Sequence, residues 1–84
     1  MVVVEGSLDE GGVVVVPRWA SVQFRVCRRG PLWDVWEVVS GRRDATCLGS
    51  YADSAYAVGR AVLEATQAYF CAKADWERSD NGFV

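Results

Sequence analysis

The hydrophobic pattern of the 84-residue chain changes its period once, near Tyr51. Before that residue, short apolar or alternating segments are separated by glycine-containing turns, which is typical of β-strands. After it, apolar residues recur every three or four positions through residues 54–77 without a proline, which is typical of an amphipathic helix. This change predicts a single α+β domain over residues 1–84, with an antiparallel β-meander packed on one long C-terminal α-helix.

The predicted sheet has three to five strands. Valine runs on either side of a glycine- and acid-rich turn predict a hairpin over residues 1–17. The sequence leaves the packing of this hairpin open, because a homopolymeric run defines no register. A meander is expected over residues 21–51, with strands at 21–27, 32–39 and 45–51 and arginine-containing turns at 28–31 and 40–44.

The predicted helix covers residues 53–77, with Asp53 as its N-terminal cap and residues 78–84 as a tail. Gly59 inside a helix costs about 1 kcal/mol relative to alanine, and a close approach of helix and sheet would explain that cost. A second apolar line, about 100° around the helix from the core stripe, would hold Tyr56, Leu63 and Phe70. The core stripe itself is expected to consist of Ala55, Val58, Val62, Ala65, Tyr69, Ala72 and Trp76.

The middle strand of the meander carries Trp33 and Trp36 on opposite faces, because successive side chains of a strand alternate. Each face of this strand also carries one acid. Glu37 lies near the strand end and can reach solvent, whereas an unpaired Asp34 would be costly to bury in mid-strand. We therefore expect Trp33 to face the helix and Trp36 to lie on the open face, where Arg25 could pair with Asp34.

Aromatic residues make up 12% of the chain, which is more than one small core needs. Two groups of residues are therefore predicted to bind a partner. The first lies on the open sheet face and consists of Trp36 and Val38 with Arg25 at the rim; the second is the helical line of Tyr56, Leu63 and Phe70. The valine hairpin, a second copy in a homodimer and another protein remain alternatives for what covers these groups.

Catalytic chemistry finds little support in the sequence. The chain has no histidine, and its three cysteines, Cys27, Cys47 and Cys71, fit no zinc-site spacing. These thiols are expected to be reduced and mostly packed. We predict no catalytic residues, no metal and no cofactor. The N-terminus lacks the basic region of a signal peptide and no stretch is apolar enough for a membrane span, which predicts a cytoplasmic protein.

An arginine-rich segment provides an alternative function. Residues 18–43 carry a net charge of +4 with tryptophans interleaved, a pattern found in sheets that bind nucleic acid. The two arginine-containing turns, however, lie at opposite ends of the middle strand. Under this alternative, Trp36 would stack on bases beside the residues that contact phosphate: Arg25, Arg28, Arg29, Arg42 and Arg43.

The segments "GPLWDVWEVVSG" and "LGSYADSAYAVGRAV" resemble small bacterial and phage β-β-β-α domains. The size and the surplus of aromatic residues resemble phage-encoded inhibitors, anti-CRISPR proteins among them. The resemblance implies a non-enzymatic protein-binding module that inhibits a host defence protein, with a nucleic-acid-handling host complex as one partner class. The residues that carry it are Gly30, Trp33, Gly49, Tyr51, Ala55 and Val58.

Overall fold

The computed structural model of the chain describes residues 2–81. These residues form strands β1 (Val2–Ser7), β2 (Gly12–Pro17), β3 (Val22–Arg29), β4 (Leu32–Val39) and β5 (Thr46–Tyr51), followed by helix α1 (Ser54–Asn81). A short 3-10 turn at Leu8–Glu10 joins the first two strands. The strands pair antiparallel in chain order and the helix packs on the sheet, so the predicted α+β fold is confirmed.

The valine-rich hairpin forms the first two strands of the same sheet. β1 lies at one edge, and β2 pairs with β3 through register partners that include Val15 and Phe24. The hairpin therefore covers neither the open face of the sheet nor the flank of the helix. The valine segment therefore widens the sheet.

The core lies between the helix and one face of the sheet. Val13, Val26 and Val35 occupy one row across β2, β3 and β4, and Val15 and Phe24 lie in the next row. All five side chains are buried. Trp33 is half-buried and packs against this core, as predicted, whereas Trp36 lies opposite Arg25 on the other face.

The buried side of α1 differs from the predicted core stripe. Ala57, Ala61 and Ala65 are fully buried, with Val58, Val62 and Ala68 packed beside them. Ala55 and Trp76, which were expected in the core, are exposed. The valines and Phe24 of the sheet already fill the layer between helix and sheet, so the side of the helix that faces them carries small side chains.

α1 is longer than predicted and extends past the sheet. Asp53 caps its start by accepting a hydrogen bond from the Ala55 amide at 2.9 Å, and the helix continues to Asn81 instead of ending at Glu77. A helix of 28 residues measures about 42 Å, whereas strands of six to eight residues measure about 20–27 Å. Among helical residues 54–78, whose burial the structure describes, Ala65 is the last that is fully buried. We call residues 71–81 the overhang; residues 82–84 of the predicted tail lie outside the described residues.

Candidate protein-binding surface

The exposed large apolar side chains of the described residues fall into two places. Val3 and Val4 lie on the edge strand β1. The others belong to α1 or stack on it: Trp19, Tyr56, Leu63, Phe70 and Trp76. Scattered exposed apolar side chains are ordinary in a soluble protein, but a grouping along one element indicates an interaction surface.

Tyr56, Leu63 and Phe70 form a line along the side of α1 that points away from the sheet, and we call this line the outward stripe. Their exposed fractions are 62%, 54% and 59%. At 100° per residue, Leu63 lies about 200° around the helix from both Ala61 and Ala65. The stripe is therefore opposite the buried alanines, not about 100° from the core as predicted, and the chain's own sheet cannot cover it.

Gly59 lies between the first two residues of the outward stripe. It forms the floor of a groove of about 350 Å³ whose walls include Tyr56, Arg60 and Leu63. A methyl group added at Gly59 would meet no described atom within 4 Å apart from its chain neighbours and the adjacent backbone of the helix itself. The prediction that Gly59 permits a close approach of helix and sheet is therefore wrong, because this glycine faces outward.

The N-terminal wall of the groove is held by polar and aromatic contacts. Arg60 donates a hydrogen bond from Nε to Glu64 Oε1 and another from Nη1 to Tyr51 Oη, each at 3.0 Å. The bond to Glu64 is the first reason that the pKa of Arg60 is raised above its ordinary value. The rings of Tyr51 and Tyr56 lie 4.8 Å apart at 54°. These contacts fix where the stripe begins and neutralise the cation beside it.

A second aromatic group, in which Trp19 and Trp76 are exposed and Tyr69 is half-buried, ties the β2–β3 turn to the far part of the helix. Trp19 stacks on Tyr69 at a centroid distance of 5.7 Å and on Trp76 at 5.6 Å. We call these three residues the aromatic stack. Arg18 lies 5.1 Å from the Trp19 ring centroid, and Phe70 meets Tyr69 edge-on at 5.2 Å. The stack therefore joins the outward stripe through Phe70.

The sequence prediction missed Trp19. Its φ angle is 70°, a left-handed conformation that is uncommon for a bulky residue and costs energy. Its ring nevertheless reaches two helical rings that lie some fifty positions further along the chain. Neither the backbone angle nor this contact has a local sequence signal, because a tryptophan in a turn resembles any exposed aromatic residue.

The apolar side chains of the other predicted group, on the open sheet face, are less exposed than those of the outward stripe. Trp36 lies between Arg25 and Cys47 in the register, and Val38 lies opposite Gln23. Both apolar side chains are half-buried. Arg25 is exposed and donates a hydrogen bond to Gln23 Oε1 at 3.3 Å. Val38 also lines a shallow cavity of about 320 Å³ at one end of the sheet.

Asp34 does not pair with Arg25 as predicted, because the register places Arg25 opposite Trp36. Asp34 instead accepts hydrogen bonds from Arg29 Nε at 2.7 Å, from Arg29 Nη2 at 3.2 Å and from Ser50 Oγ at 2.6 Å. The bonds from Arg29 and then Ser50 lower the pKa of Asp34, although burial of its carboxylate acts against them. This ionised carboxylate ties β4 to β5 and to the end of β3.

The arginines of the nucleic-acid hypothesis do not converge. Arg29 is committed to Asp34, and Arg28 donates a hydrogen bond from Nε to the Gly30 carbonyl at 3.2 Å. Arg42 and Arg43 lie in the β4–β5 connection, at the other end of β4 from the turn that follows Arg29. Arg25 lies on the open face between the two ends. The arrangement forms no continuous basic surface beside Trp36, so it adds no support to that hypothesis.

The cysteines differ from expectation in their burial. Cys27, Cys47 and Cys71 are free and exposed instead of mostly packed. Within residues 2–81, no three histidine, cysteine, aspartate or glutamate side chains are grouped so that they could hold a metal ion. None of the described helical segments combines the length and the apolar character that a membrane span needs.

No protein family, no curated protein and no solved structure matches this chain. The resemblance to small phage domains and anti-CRISPR inhibitors therefore stays a prediction. A function for the chain therefore has to be argued from its own surface.

Proposed function

We propose that this chain is a non-enzymatic protein-binding module whose binding surface is the outward stripe of α1. One observation carries the proposal: the helix is apolar on two opposite sides, and the sheet covers one of them. A surface helix of a globular domain ordinarily has one apolar side and one polar side. A helix that is apolar on both sides is typical of one that is covered on both.

The exposed area of the stripe is large enough to matter for binding. At about 200 Å² for each side chain, the exposed fractions of Tyr56, Leu63 and Phe70 amount to roughly 350 Å². Removing this area from water contributes about 9 kcal/mol before association costs. Those costs are about 4–15 kcal/mol, so the partner must also contact the surroundings of the stripe.

The outward stripe is a better candidate than the open sheet face. Trp36 and Val38 are already half-buried, whereas each residue of the stripe exposes more than half of its side chain. Inhibition of a host defence protein, as in phage inhibitors, is a narrower form of this proposal. The support for that narrower form is the size of the chain and its surplus of exposed aromatic residues.

The test is capture of a partner from host lysate by the immobilised chain, with identification by mass spectrometry. Leu63→Glu places a charge in the centre of the stripe and should abolish capture while leaving the circular dichroism spectrum unchanged. Trp36→Ala is the matched control on the open sheet face and should retain capture. Capture that survives Leu63→Glu and is lost in Trp36→Ala would transfer the function to the sheet face.

A further inference from the structure

We propose that the aromatic stack is a latch for the overhang. While the Trp19 ring lies between the rings of Tyr69 and Trp76, the overhang is held as a helix. When Trp19 withdraws, the overhang unfolds and the rest of the domain stays folded. Three observations carry this inference: the insertion of Trp19 into the side of α1, the scarcity of other anchors on the overhang, and the strained backbone of Trp19 itself.

The Trp19 ring lies between two rings on the same side of α1. Tyr69 and Trp76 are seven positions apart, which corresponds to a rise of about 10.5 Å along the helix. The Trp19 ring centroid lies 5.7 Å from that of Tyr69 and 5.6 Å from that of Trp76, with interplanar angles of 19° and 22°. Both distances are typical of offset stacking, which aromatic rings prefer. One near-parallel ring therefore fills the space between the two helical rings and bridges the start of the overhang.

The overhang has few other connections to the domain. Among residues 71–78, whose burial the structure describes, none is buried, and residues 74–78 are exposed. The ion pairs of this segment join positions within the overhang itself: Lys73 with Glu77 at 3.8 Å and Asp75 with Arg78 at 3.1 Å. Within the described part of the chain, the stacking of Trp76 on Trp19 is therefore the one ring contact, ion pair or side-chain hydrogen bond that joins the overhang to the rest of the domain.

The sequence of the overhang favours a helix only weakly. Exposed ion pairs at these spacings contribute little to helix stability. Several residues of the overhang belong to the weaker helix formers: Asp75, Trp76, Ser79, Asp80 and Asn81. Asp80 also places a negative charge in the last turn, where the helix dipole disfavours it. The last turns of α1 therefore depend on a tertiary contact, and the aromatic stack supplies one.

The backbone of Trp19 opposes the latch. Its φ angle is 70°, a left-handed conformation that a bulky residue adopts only at an energetic cost. The inserted position persists because stacking on two rings offsets that cost. Nearly half of the Trp19 side chain is already exposed, so withdrawal removes little buried area. Strain and stacking act in opposite directions on the same residue, which brings the closed and open states of the latch closer in free energy.

Unfolding of the overhang leaves the core intact. The fully buried residues of α1 are Ala57, Ala61 and Ala65, and all of them precede the overhang. The hydrogen bond from Arg60 Nη1 to Tyr51 Oη, at 3.0 Å, holds the first part of the helix to the end of β5. Proteins open in cooperative parts of this kind at a free energy below that of global unfolding. The overhang is such a part, because its release exposes no core side chain.

The latch reaches the outward stripe through Phe70. This residue directly precedes the overhang, and its ring meets that of Tyr69 edge-on at 5.2 Å. Withdrawal of Trp19 frees the Tyr69 ring and so loosens the contact that supports the last residue of the stripe. Control of the stripe by the latch rests on the proposed function, whereas the opening of the latch requires no partner. Its test is therefore independent of partner capture.

The test is hydrogen exchange of the backbone amides of the purified full chain, resolved by residue with nuclear magnetic resonance. In the unaltered chain, the amides of residues 71–78 should exchange faster than those of β3 and should respond little to low urea, because a local opening exposes little surface. Exchange of these amides at the same rate and with the same urea dependence as β3 would overturn the latch, since the overhang would then open only with the whole domain.

Two variants remove the latch from opposite sides. Trp19→Gly deletes the inserted ring, and Trp76→Ala deletes one of the two rings that hold it. Each should speed exchange in residues 71–78 by about fivefold or more, while the amides of β3 remain protected. Tyr56→Ala is the matched control, because Tyr56 is an equally exposed ring of the same helix outside the stack. It should leave exchange in residues 71–78 unchanged.

Trp76→Ala decides the matter even if Trp19→Gly fails to fold, because it replaces an exposed helical residue by the best helix former. An overhang held by its own helix propensity would exchange more slowly in this variant, whereas an overhang held by the latch exchanges faster. Slower or unchanged exchange in residues 71–78 of Trp76→Ala overturns the inference. Loss of protection throughout β3 in the same variant also overturns it, since the overhang would then not be separable from the core.

Discussion

Replacing Gly59 by alanine is expected to stabilise the fold while weakening partner binding at the outward stripe. Gly59 lies in the interior of α1 and is exposed, and an added methyl group would meet no described atom within 4 Å apart from its chain neighbours and the adjacent backbone of the helix itself. The φ angle of Gly59 is not positive. The substitution therefore removes the helix penalty of glycine without a clash, for a gain of about 1 kcal/mol. For a domain of this size that gain corresponds to about 4–8 °C in Tm.

Urea denaturation followed by far-ultraviolet circular dichroism measures this gain. Gly41→Ala is the matched control. Gly41 also has open space around it, but its φ angle is 87°, which an alanine adopts only with strain. We expect that control to lose about 1–2 kcal/mol. The same added methyl group should therefore stabilise the fold at Gly59 and destabilise it at Gly41.

Partner binding by Gly59→Ala should weaken because the new methyl group fills the floor of the groove. The amount of partner captured from host lysate by the immobilised variant, compared with the unaltered chain, measures this loss. A lower free energy of unfolding for Gly59→Ala would refute the structural reasoning, since it would mean that something does contact this position within the chain. Unchanged capture would refute a role of the groove in partner binding and leave the stability argument intact.

Three further predictions concern the fold. Trp19→Gly and Trp19→Ala both lose the aromatic stack, but Trp19→Gly should be more stable by about 1 kcal/mol because glycine adopts a φ of 70° without strain; equal urea midpoints would contradict this. The lowered pKa of Asp34 means that its stabilisation is complete above about pH 4 and is lost as the pH falls through the folded-state pKa. Asp34→Asn should flatten the acid limb of a stability–pH curve, and an unchanged limb would argue against the pair with Arg29. Val35→Ala, at a fully buried position, should cost about 2–3 kcal/mol in urea denaturation, whereas Val3→Ala at the exposed edge should change stability by less than about 0.5 kcal/mol.

Local signals predicted the order and type of the elements. The strand expected at residues 32–39 coincides with β4, because a Gly-Pro turn precedes it and a Ser-Gly turn follows it. Asp53 caps the helix because its carboxylate can reach a free amide of the first turn. The predicted C-terminal end of the helix, at Glu77, was wrong. Polar residues after Glu77 remain compatible with helical geometry, and no proline interrupts them.

Periodicity predicted the helix but not which side of it is buried. The sequence prediction placed the larger residues Tyr69 and Trp76 inside, because burial of large apolar side chains is the usual outcome. The structure instead places alanines against the sheet, where Phe24 and the valines already supply the bulk. Which side of the helix is buried depends on how fully the sheet side chains fill the layer between sheet and helix. That filling depends in turn on which residues pair across the strands. A one-dimensional pattern contains no such information.

The orientation of α1 about its own axis connects the fold to the proposed interface. A rotation by half a turn would bury the outward stripe and expose the alanines, which the hydrophobic effect acting on this helix alone would favour. Contacts at both ends oppose that rotation. Arg60 is bound to Tyr51 at the N-terminal end, and Tyr69 is stacked on Trp19 toward the C-terminal end. The fold therefore holds three large apolar side chains in solvent by specific contacts, and the proposed partner would cover the surface that is held in that way.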